Sequence, residues 1–170
     1  VDVVLARGLT ARVRQIEPSD APALTAFHDG LSSESRHKRY FSPMPHLSPR
    51  MLERFVHVDH QDREALVVIA GGAIVGLGQY ERLSTQPADA EVAFSVADEL
   101  QGQGLGTFLL GHLASLARQR ELERLVAETL ATNGAMLPGF SRAGYDVRRR
   151  IHARRLRAAP RGRRATGVAQ

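Results

Sequence analysis

The sequence predicts a mixed α/β (α+β) domain built around one strand, one turn and one helix. Ala90–Ala97 alternates between bulky apolar residues and small residues, a period of two that is typical of a strand. A glycine-rich run follows at 101–106, and apolar residues then recur at helical spacing across Thr107–Arg120. Upstream, Ala65–Ala70 and Ala73–Leu83 are two apolar runs separated by two glycines, which predicts a β-hairpin.

Turn and capping signals predict the remaining elements. Asp20, followed by Pro22, is suited to cap a first helix, and Ser48 before Pro49 is suited to begin a later one. Gly144 is typical of the position just after a helix. These further elements are a strand at Thr10–Ile16, a helix from Asp20 to Leu31, a second helical stretch from Ser32, a helix from Ser48, a strand at Arg124–Thr129, a helix at Asn133–Ala143 and a final strand at Asp146–Leu156.

Length and composition predict one domain at residues 1–157, followed by a disordered Arg/Ala/Gly-rich tail at 158–170. No apolar run approaches the roughly 20 residues of a membrane span, and the N-terminus lacks the features of a signal peptide. The absence of cysteine excludes disulfides, thiolate zinc sites and cysteine catalysis. The seven histidines are scattered, so no metal cofactor is expected. These features favour a cytoplasmic protein without a membrane partner.

The net charge of +5 is concentrated at the C-terminal end. Residues 1–147 contain 14 basic and 18 acidic residues, a net charge of −4, whereas residues 148–170 contain nine arginines and no acidic residue. Such a run can contact nucleic acid, but no aromatic residues are interleaved in it for base stacking. We therefore interpret it as a solvated strand and tail, and we do not expect a nucleic-acid partner.

The three glycines of the turn predict a phosphate site at the start of the helix. Glycine lets a ligand approach the backbone closely, and the N–H groups at a helix N-terminus bind anions. The dinucleotide fingerprint does not fit, because its third glycine would fall on Thr107, and the P-loop does not fit, because no lysine follows the last glycine. The spacing that fits is Gln/Arg-x-x-Gly-x-Gly/Ala, with Gln101, Gly104 and Gly106. The alternative is a glycine-rich turn without a ligand.

This strand, turn and helix resemble the acetyl-CoA pyrophosphate-binding motif of the GNAT (Gcn5-related) N-acetyltransferases. The segment "ETLATNGAMLPGFSRAGY" is similar to the strand–Asn–helix–Gly-aromatic segment of that family, although its Asn133 also suits a helix cap. The resemblance covers roughly Thr10–Leu156. It implies a mostly antiparallel sheet, splayed open between Glu91–Val96 and Leu125–Thr129, with acetyl-CoA in the opening. The cofactor-binding residues that it implies are Phe94, Ser95, Val96, Gln101, Gly102, Gln103, Gly104, Leu105, Gly106, Thr107 and Asn133.

Glu91 is the candidate general base. An amine must lose its proton before it attacks a thioester, because a protonated lysine, with a pKa of about 10.4, has no lone pair. Glu91 lies on the small-residue face of the strand, and many GNAT members carry a glutamate base there. Burial beside apolar walls would raise its pKa; the alternative is a surface glutamate at a strand start. The resemblance also implies that backbone N–H groups near Phe94–Val96, freed by a β-bulge, polarise the carbonyl.

One residue departs from the family pattern. Many members have a tyrosine seven residues after the asparagine that can protonate the leaving thiolate, whereas this chain has Phe140 there. Three possibilities follow: catalysis without a side-chain acid, another group as the acid, or a non-catalytic module that senses acetyl-CoA. The other hydroxyl candidates, Tyr40, Tyr80 and Tyr145, are not assigned that role.

The segment "LSSESRHKRYFSPMPHLSP" indicates the class of acceptor. It is similar to the Leu-Ser-x-Glu-Ser-Arg-x-x-Arg-Phe/Tyr-Phe segment of bacterial GNAT domains that acetylate protein lysines, including the regulators of acyl-CoA synthetases. Those relatives also tend to lack the tyrosine, and the glutamate of their "AEVAF" segment is catalytic. The resemblance implies a protein lysine as the acceptor, and a small-molecule amine is the alternative.

Overall fold

A computed structural model describes residues 1–5, 8–128, 145–149 and 155–160 of the chain, the last two ranges as backbone alone. The strands are β1 (Asp2–Val4), β2 (Thr10–Gln15), β3 (Arg63–Ala70), β4 (Ala73–Arg82), β5 (Asp89–Val96), β6 (Arg124–Glu128), β7 (Tyr145–Arg149) and β8 (Arg155–Pro160). The helices are α1 (Ala21–Gly30), α2 (Ser33–Tyr40), α3 (Pro49–Val56) and α4 (Leu105–Gln119). Single 3₁₀ turns at Pro18–Asp20 and Asp98–Leu100 precede α1 and the glycine-rich loop.

The eight strands form one sheet in the order β1-β2-β3-β4-β5-β6-β8-β7. Neighbouring strands pair antiparallel except β5 and β6, which run parallel. A parallel pair requires a crossover, and α4 forms it. The prediction of a mixed, mostly antiparallel sheet flanked by helices is confirmed.

Helices cover both faces of the sheet, and each face has its own apolar core. On one face, the leucines of α4 at positions 105, 109 and 113 are buried against β3 and β5, as the helical spacing predicts. On the other face, α1 and α3 bury Leu24 and Phe55 against Val67 and Leu77. Alternate residues of β3 belong to the two cores, since Leu66 and Val68 lie in the first and Ala65 and Val67 in the second.

Serine hydroxyls cap two helices. Ser32 accepts a hydrogen bond from the N–H of Ser35, and Ser48 accepts one from that of Met51. Asp20 stands at the N-cap position of α1, but its side chain makes no cap hydrogen bond. It accepts instead from the backbone N–H of Glu17 and from the Arg14 guanidinium. The buried Asp20 carboxylate therefore joins the start of α1 to β2 through Arg14.

The prediction of one final strand at Asp146–Leu156 is wrong. That region forms two antiparallel strands, β7 and β8, with Tyr145 opposite Pro160 and Arg149 opposite Leu156. The predicted boundary at residue 157 falls within β8, and residues 161–170 lie outside the described residues, as does the predicted helix at Asn133–Ala143. None of the described helices is both long and apolar enough to cross a membrane.

Candidate active site

The β5–β6 pair is described from its first residues. The register runs from Asp89↔Arg124 to Val92↔Ala127, and β5 itself continues to Val96, whereas the residues that follow Glu128 lie outside the described part of the chain. The separation predicted between Glu91–Val96 and Leu125–Thr129 stays a prediction. We call the edge of β5 at Ala93–Val96 that is turned away from β4 the notch.

The hydrogen bonds to β4 show which backbone groups face this notch. Leu83 N donates to Asp89 O at 2.9 Å, and Ala97 N donates to Val75 O at 2.9 Å. Because alternate residues of an antiparallel strand bond to the same neighbour, the odd-numbered residues of β5 bond to β4. The N–H and C=O groups of Phe94 and Val96 therefore face the notch.

The expectation of a β-bulge near Phe94–Val96 is wrong. The β4–β5 register is continuous from Gly76↔Val96 to Arg82↔Ala90. The sheet has a register shift between β3 and β4 instead, at Val68/Ile69.

The glycine-rich loop lies at the end of the same strand and begins α4. Gly102 and Gly104 have φ angles of +74° and +86°, a region that side chains disfavour. A Cβ atom at Gly102, Gly104 or Gly106 would meet nothing within 4 Å, so the space in front of the loop is open. The first intrahelical bond runs from Phe108 N to Gly104 O, which leaves the preceding amides available for an anion.

Gln101 turns away from this open space and fastens the loop to the rest of the site. Its Nε2 donates to Val96 O at 3.0 Å and contacts Ser35 Oγ at 2.9 Å and Asp98 Oδ1 at 3.1 Å. Asp98 in turn accepts from Ser32 N at 2.8 Å and from the Ser35 hydroxyl. Partial burial would raise the pKa of Asp98, but the hydrogen bonds from Ser35 and Ser32 outweigh it and hold that pKa below its usual value. The network links the loop to the first turn of α2.

The predicted cofactor-binding residues differ in which of their groups are buried and which are accessible. Phe94 and Val96 pack their side chains against the core beneath α4, and Leu105 is buried there, so these three side chains belong to the core. Gly106 and Thr107 are half-buried in the first turn of α4. Among the described residues, Ser95 Oγ and Gln103 Oε1 are buried and have no hydrogen-bond partner. The open space in front of the loop and the amides that precede Phe108 fit a ligand with an anionic group.

Glu91 lies on the opposite face of β5 from α4. It lines an open cavity of about 490 Å³, together with Ala93 of the same strand. Helix α2 contributes Arg39 and Tyr40 to the wall. The Glu91 side chain is exposed, so the burial beside apolar walls that the sequence analysis considered is not found. Its carboxylate is accessible to water and to an incoming molecule.

Charged groups surround Glu91 within the cavity. Glu81 of β4 lies directly opposite Glu91 in the register, and the guanidinium of Arg54 in α3 forms an ion pair with Glu81. Arg39 is half-buried, with its guanidinium carbon 4.6 Å from the centre of the Tyr40 ring. Burial lowers the pKa of Arg39, and the charges of Tyr40 and Glu91 oppose that change. Burial raises the pKa of Tyr40.

A sequence model of the acetyltransferase (GNAT) family matches residues 26–145 of this chain, a range that includes the glycine-rich loop, β5, β6 and the cavity. The chain belongs to the GNAT family of acetyltransferases. It is therefore an acyltransferase, and the family uses acetyl-CoA as the acetyl donor. The family assignment drawn from the glycine spacing is confirmed.

Named GNAT relatives resemble this chain over most of its length. The GNAT domain of S. lividans PAT is 40% identical, with a TM-score of 0.85 over 93% of this chain and 94% of that one. Acetyltransferase Pat of Mycolicibacterium smegmatis is 31% identical over 134 residues, which are 78% of this chain and 40% of that protein. Acetyltransferase PA5475 of Pseudomonas aeruginosa is 28% identical over 128 residues, 73% of this chain and 68% of that protein. This GNAT chain thus spans less than half the length of the M. smegmatis protein.

Two GNAT motif positions lie outside the described residues: Asn133 and Phe140. Of the tyrosines, Tyr80 is buried, and burial together with nearby Glu64 raises its pKa to about 12. Its hydroxyl donates to Gln61 O at 3.4 Å. Tyr80 therefore packs within the sheet, and both Tyr80 and Tyr40 line the cavity.

Sequence reasoning missed the cavity wall opposite Glu91. Arg54 and Glu81 come from elements distant in sequence, and only the docking of α3 on β4 brings them together. The alternation of side chains along β4 could have indicated the position of Glu81, because it places Glu81 on the same face as Leu77 and Gln79. No group of three or more His, Cys, Asp or Glu residues that could hold a metal ion occurs in the part of the chain that the structure describes.

Proposed function

We propose that this GNAT protein transfers an acetyl group from acetyl-CoA to a lysine side chain of another protein, with Glu91 as the general base. The position of Glu91 carries the proposal. It projects into an open cavity from the strand whose far end forms the notch and leads into the glycine-rich loop. One strand would therefore serve the donor at one end and the acceptor at the other.

The loop and the start of α4 are the proposed site for the donor's pyrophosphate. The amides of Gly102 to Thr107 supply donors for anionic oxygens, and Gln101 holds the loop in place through its contacts with Val96 and Ser35. The backbone of Phe94 to Val96 would run alongside the pantetheine arm, and Asn133 is assigned there from the family motif. When bound, acetyl-CoA supplies a thioester carbonyl that an amine can attack. The amide of Val96, which faces the notch, is placed to polarise that carbonyl.

Glu91 would act on the acceptor. A lysine ammonium that enters the cavity meets this exposed carboxylate, which attracts it electrostatically and accepts its proton directly or through one water molecule. No side-chain acid is assigned for the leaving thiolate. The proposal needs none, because a thiol with a pKa near the unperturbed cysteine value of about 8.5 leaves readily as thiolate.

Two observations support a protein lysine as the acceptor. The segment that resembles those of protein-lysine acetyltransferases forms α2 and the start of the following loop, and its Arg39 and Tyr40 line the cavity. The chain also shares 40% of its residues with the GNAT domain of S. lividans PAT. The cavity is open, so an extended side chain on a protein surface can reach Glu91.

A small-molecule amine is the second candidate, and the size of the cavity favours it. A volume of about 490 Å³ lies within the range of roughly 300–1,000 Å³ found for sites that bind small ligands. Its aromatic and apolar residues, such as Tyr40, Met51 and Phe55, could pack against such a molecule.

An acceptor panel separates these candidates. Release of coenzyme A is measured with a thiol reagent, first with small primary amines and then with a lysine-bearing acyl-CoA synthetase whose acetylation is confirmed by mass spectrometry. The proposal predicts acetylation of the protein, at a kcat/KM far above that for any small amine. The reverse ranking would favour the second candidate. Tight binding of acetyl-CoA without turnover on any acceptor up to about pH 9, near the range where free amines become available, would indicate a sensor module.

A further inference from the structure

Gln79 of β4 lies on the floor of the cavity, the part that the sheet forms. Its register partners are Ala65 in β3 and Ala93 in β5, so the side chains directly beside it on the same face of the sheet are methyl groups. Leu77, two residues earlier in β4 on that face, is buried. The long polar side chain of Gln79 therefore stands among small and apolar neighbours, with space on both sides.

The side chains that enclose Gln79 from the helices are aromatic or apolar. Tyr40 of α2 and Met51 and Phe55 of α3 line the cavity and pack in the same core as Leu77. Gln79 is half-buried, and in the part of the chain that the structure describes its side-chain amide makes no hydrogen bond. A glutamine amide offers one oxygen acceptor and two N–H donors. Both groups of Gln79 are therefore available to a molecule in the cavity.

Gln79 and Glu91 are diagonal neighbours across the β4–β5 pair. The direct partner of Gln79 is Ala93, and Glu91 precedes Ala93 by two residues, so the side chains of Gln79 and Glu91 lie on the same face. Diagonal neighbours are about 7–8 Å apart, a distance over which long side chains can meet. One nitrogen atom between them can therefore hydrogen-bond to an oxygen of each side chain at the usual separation of about 2.9 Å.

We propose that Gln79 positions the acceptor, because its Oε1 accepts a hydrogen bond from the amine that attacks the thioester. A lysine ammonium has three N–H donors. Glu91 takes one proton, and Gln79 Oε1 holds one of the two N–H bonds that remain. The nitrogen is thereby fixed over β4 and β5, and its lone pair stays free for the attack. This inference rests on the proposed function, in which an amine enters this cavity and meets Glu91.

Two substitutions separate the oxygen of Gln79 from its NH₂ group. Gln79→Met keeps the length of the side chain and its lack of charge but removes the hydrogen bond. The kcat/KM for the acceptor should fall about 10- to 100-fold, which corresponds to one hydrogen bond to a charged group. Gln79→Glu keeps an oxygen at this position and lacks the NH₂ group. At its own optimum pH it should stay within about threefold of wild type, because the acceptor oxygen is retained.

The experiment measures kcat/KM for wild type, Gln79→Met and Gln79→Glu at saturating acetyl-CoA, with the acceptor that ranks first in the panel described above. The Kd for acetyl-CoA, from calorimetry, and the melting temperature are measured on the same preparations. Neither should change, because Gln79 lies outside the glycine-rich loop and makes no hydrogen bond to the residues that the structure describes. Gln119→Met is the matched control, because Gln119 is exposed in the last turn of α4, on the other face of the sheet. It should leave every value unchanged.

Three other patterns would overturn the inference. A purely structural role for Gln79 predicts that both variants lower the melting temperature together with the activity. Equal losses of kcat/KM in Gln79→Met and Gln79→Glu, at an unchanged melting temperature, would assign the contact to the NH₂ group instead of the oxygen. Wild-type kcat/KM in Gln79→Met would overturn the inference and leave the proposed function intact. If wild type acetylates no amine of the panel, the proposed function fails, and the inference fails with it.

Discussion

Asp89 and Arg124 join β5 and β6 at the point where the two parallel strands begin. They are register partners in β5 and β6, and the Arg124 guanidinium donates two hydrogen bonds to the buried Asp89 carboxylate, at 2.7 and 2.9 Å. The bonds to Asp89 raise the pKa of Arg124. Because the backbone pairing of the two strands starts at this pair, the bidentate contact holds the start of β6 beside the start of β5.

Loss of this contact should lower stability substantially. Asp89→Ala removes one partner of a hydrogen-bonded pair whose carboxylate is fully buried, and hydrogen bonds to charged groups contribute about 1.5–3 kcal/mol each. We expect the free energy of unfolding to fall by about 2–4 kcal/mol in urea titrations. Asp2→Ala is the control, because the Arg12–Asp2 pair is exposed on both sides and should change stability by less than about 1 kcal/mol. Equal effects of the two variants would contradict the assigned role of Asp89.

The contacts of Asp98 predict a change in donor binding. Asp98→Asn weakens the hydrogen bonds that join the first turn of α2 to the glycine-rich loop. A looser loop must be ordered when the ligand binds, so we expect the Kd for acetyl-CoA to rise about 3- to 30-fold, from the loss of about 0.7–2 kcal/mol. Isothermal titration calorimetry measures the Kd. An unchanged Kd in a folded variant would show that the network does not support the site.

Gly78 is the point where β4 meets α4 most closely. A Cβ atom there would lie 3.2 Å from Leu109 Cβ and also 3.2 Å from atoms of Leu113 and Phe94. Gly78→Val should therefore overpack the core and cost about 1–3 kcal/mol, which lowers the melting temperature by about 2–4 °C per kcal/mol. Gly30→Ala meets nothing within 4 Å and should leave the melting temperature unchanged or slightly raised. Calorimetric melting of both variants tests this.

Asp20 gives stability a defined dependence on pH. The Arg14 guanidinium beside it holds the pKa of the Asp20 carboxyl below its ordinary value of 3.8. A depressed pKa in the folded state contributes stability that is complete above the unfolded-state value and is lost as the pH falls through the folded-state value. Wild type and Asp20→Asn should therefore differ in melting temperature by a constant amount from pH 5 to 8, and this difference should shrink below about pH 4. A difference that stays constant down to pH 2 would contradict the assignment.

The central part of the fold could be predicted from the sequence because its patterns are local. β4, β5 and α4 lie within two residues of their predicted bounds, since alternation and helical spacing report directly on burial. β3 begins two residues earlier than predicted. Its first two residues, Arg63 and Glu64, are charged and precede the apolar run from which the strand was predicted. β1 was not predicted, because it has only three residues and is defined by its pairing with β2.

The candidate site also has parts that the sequence predicts and parts that it does not. The glycine-rich loop and Glu91 are visible in the sequence, because spacing and alternation determine where they lie. The role of Gln101 as a link to Ser35 and the pairing of Arg54 with Glu81 are not visible, because each joins residues that only tertiary packing brings together. The single final strand was predicted wrongly because the basic and apolar residues of Asp146–Leu156 alternate without a turn signal strong enough to mark the break between β7 and β8.

The most direct test of the account compares wild type and Glu91→Gln in two measurements on the same preparations. Calorimetry gives the Kd for acetyl-CoA, and mass spectrometry gives the rate of lysine acetylation on an acceptor protein. Glu123→Gln, an exposed position away from the cavity, is the control. The account predicts that Glu91→Gln binds acetyl-CoA as tightly as wild type and acetylates lysine at least about 100-fold more slowly, the lower end of what general base catalysis contributes. Wild-type acetylation by Glu91→Gln would contradict it.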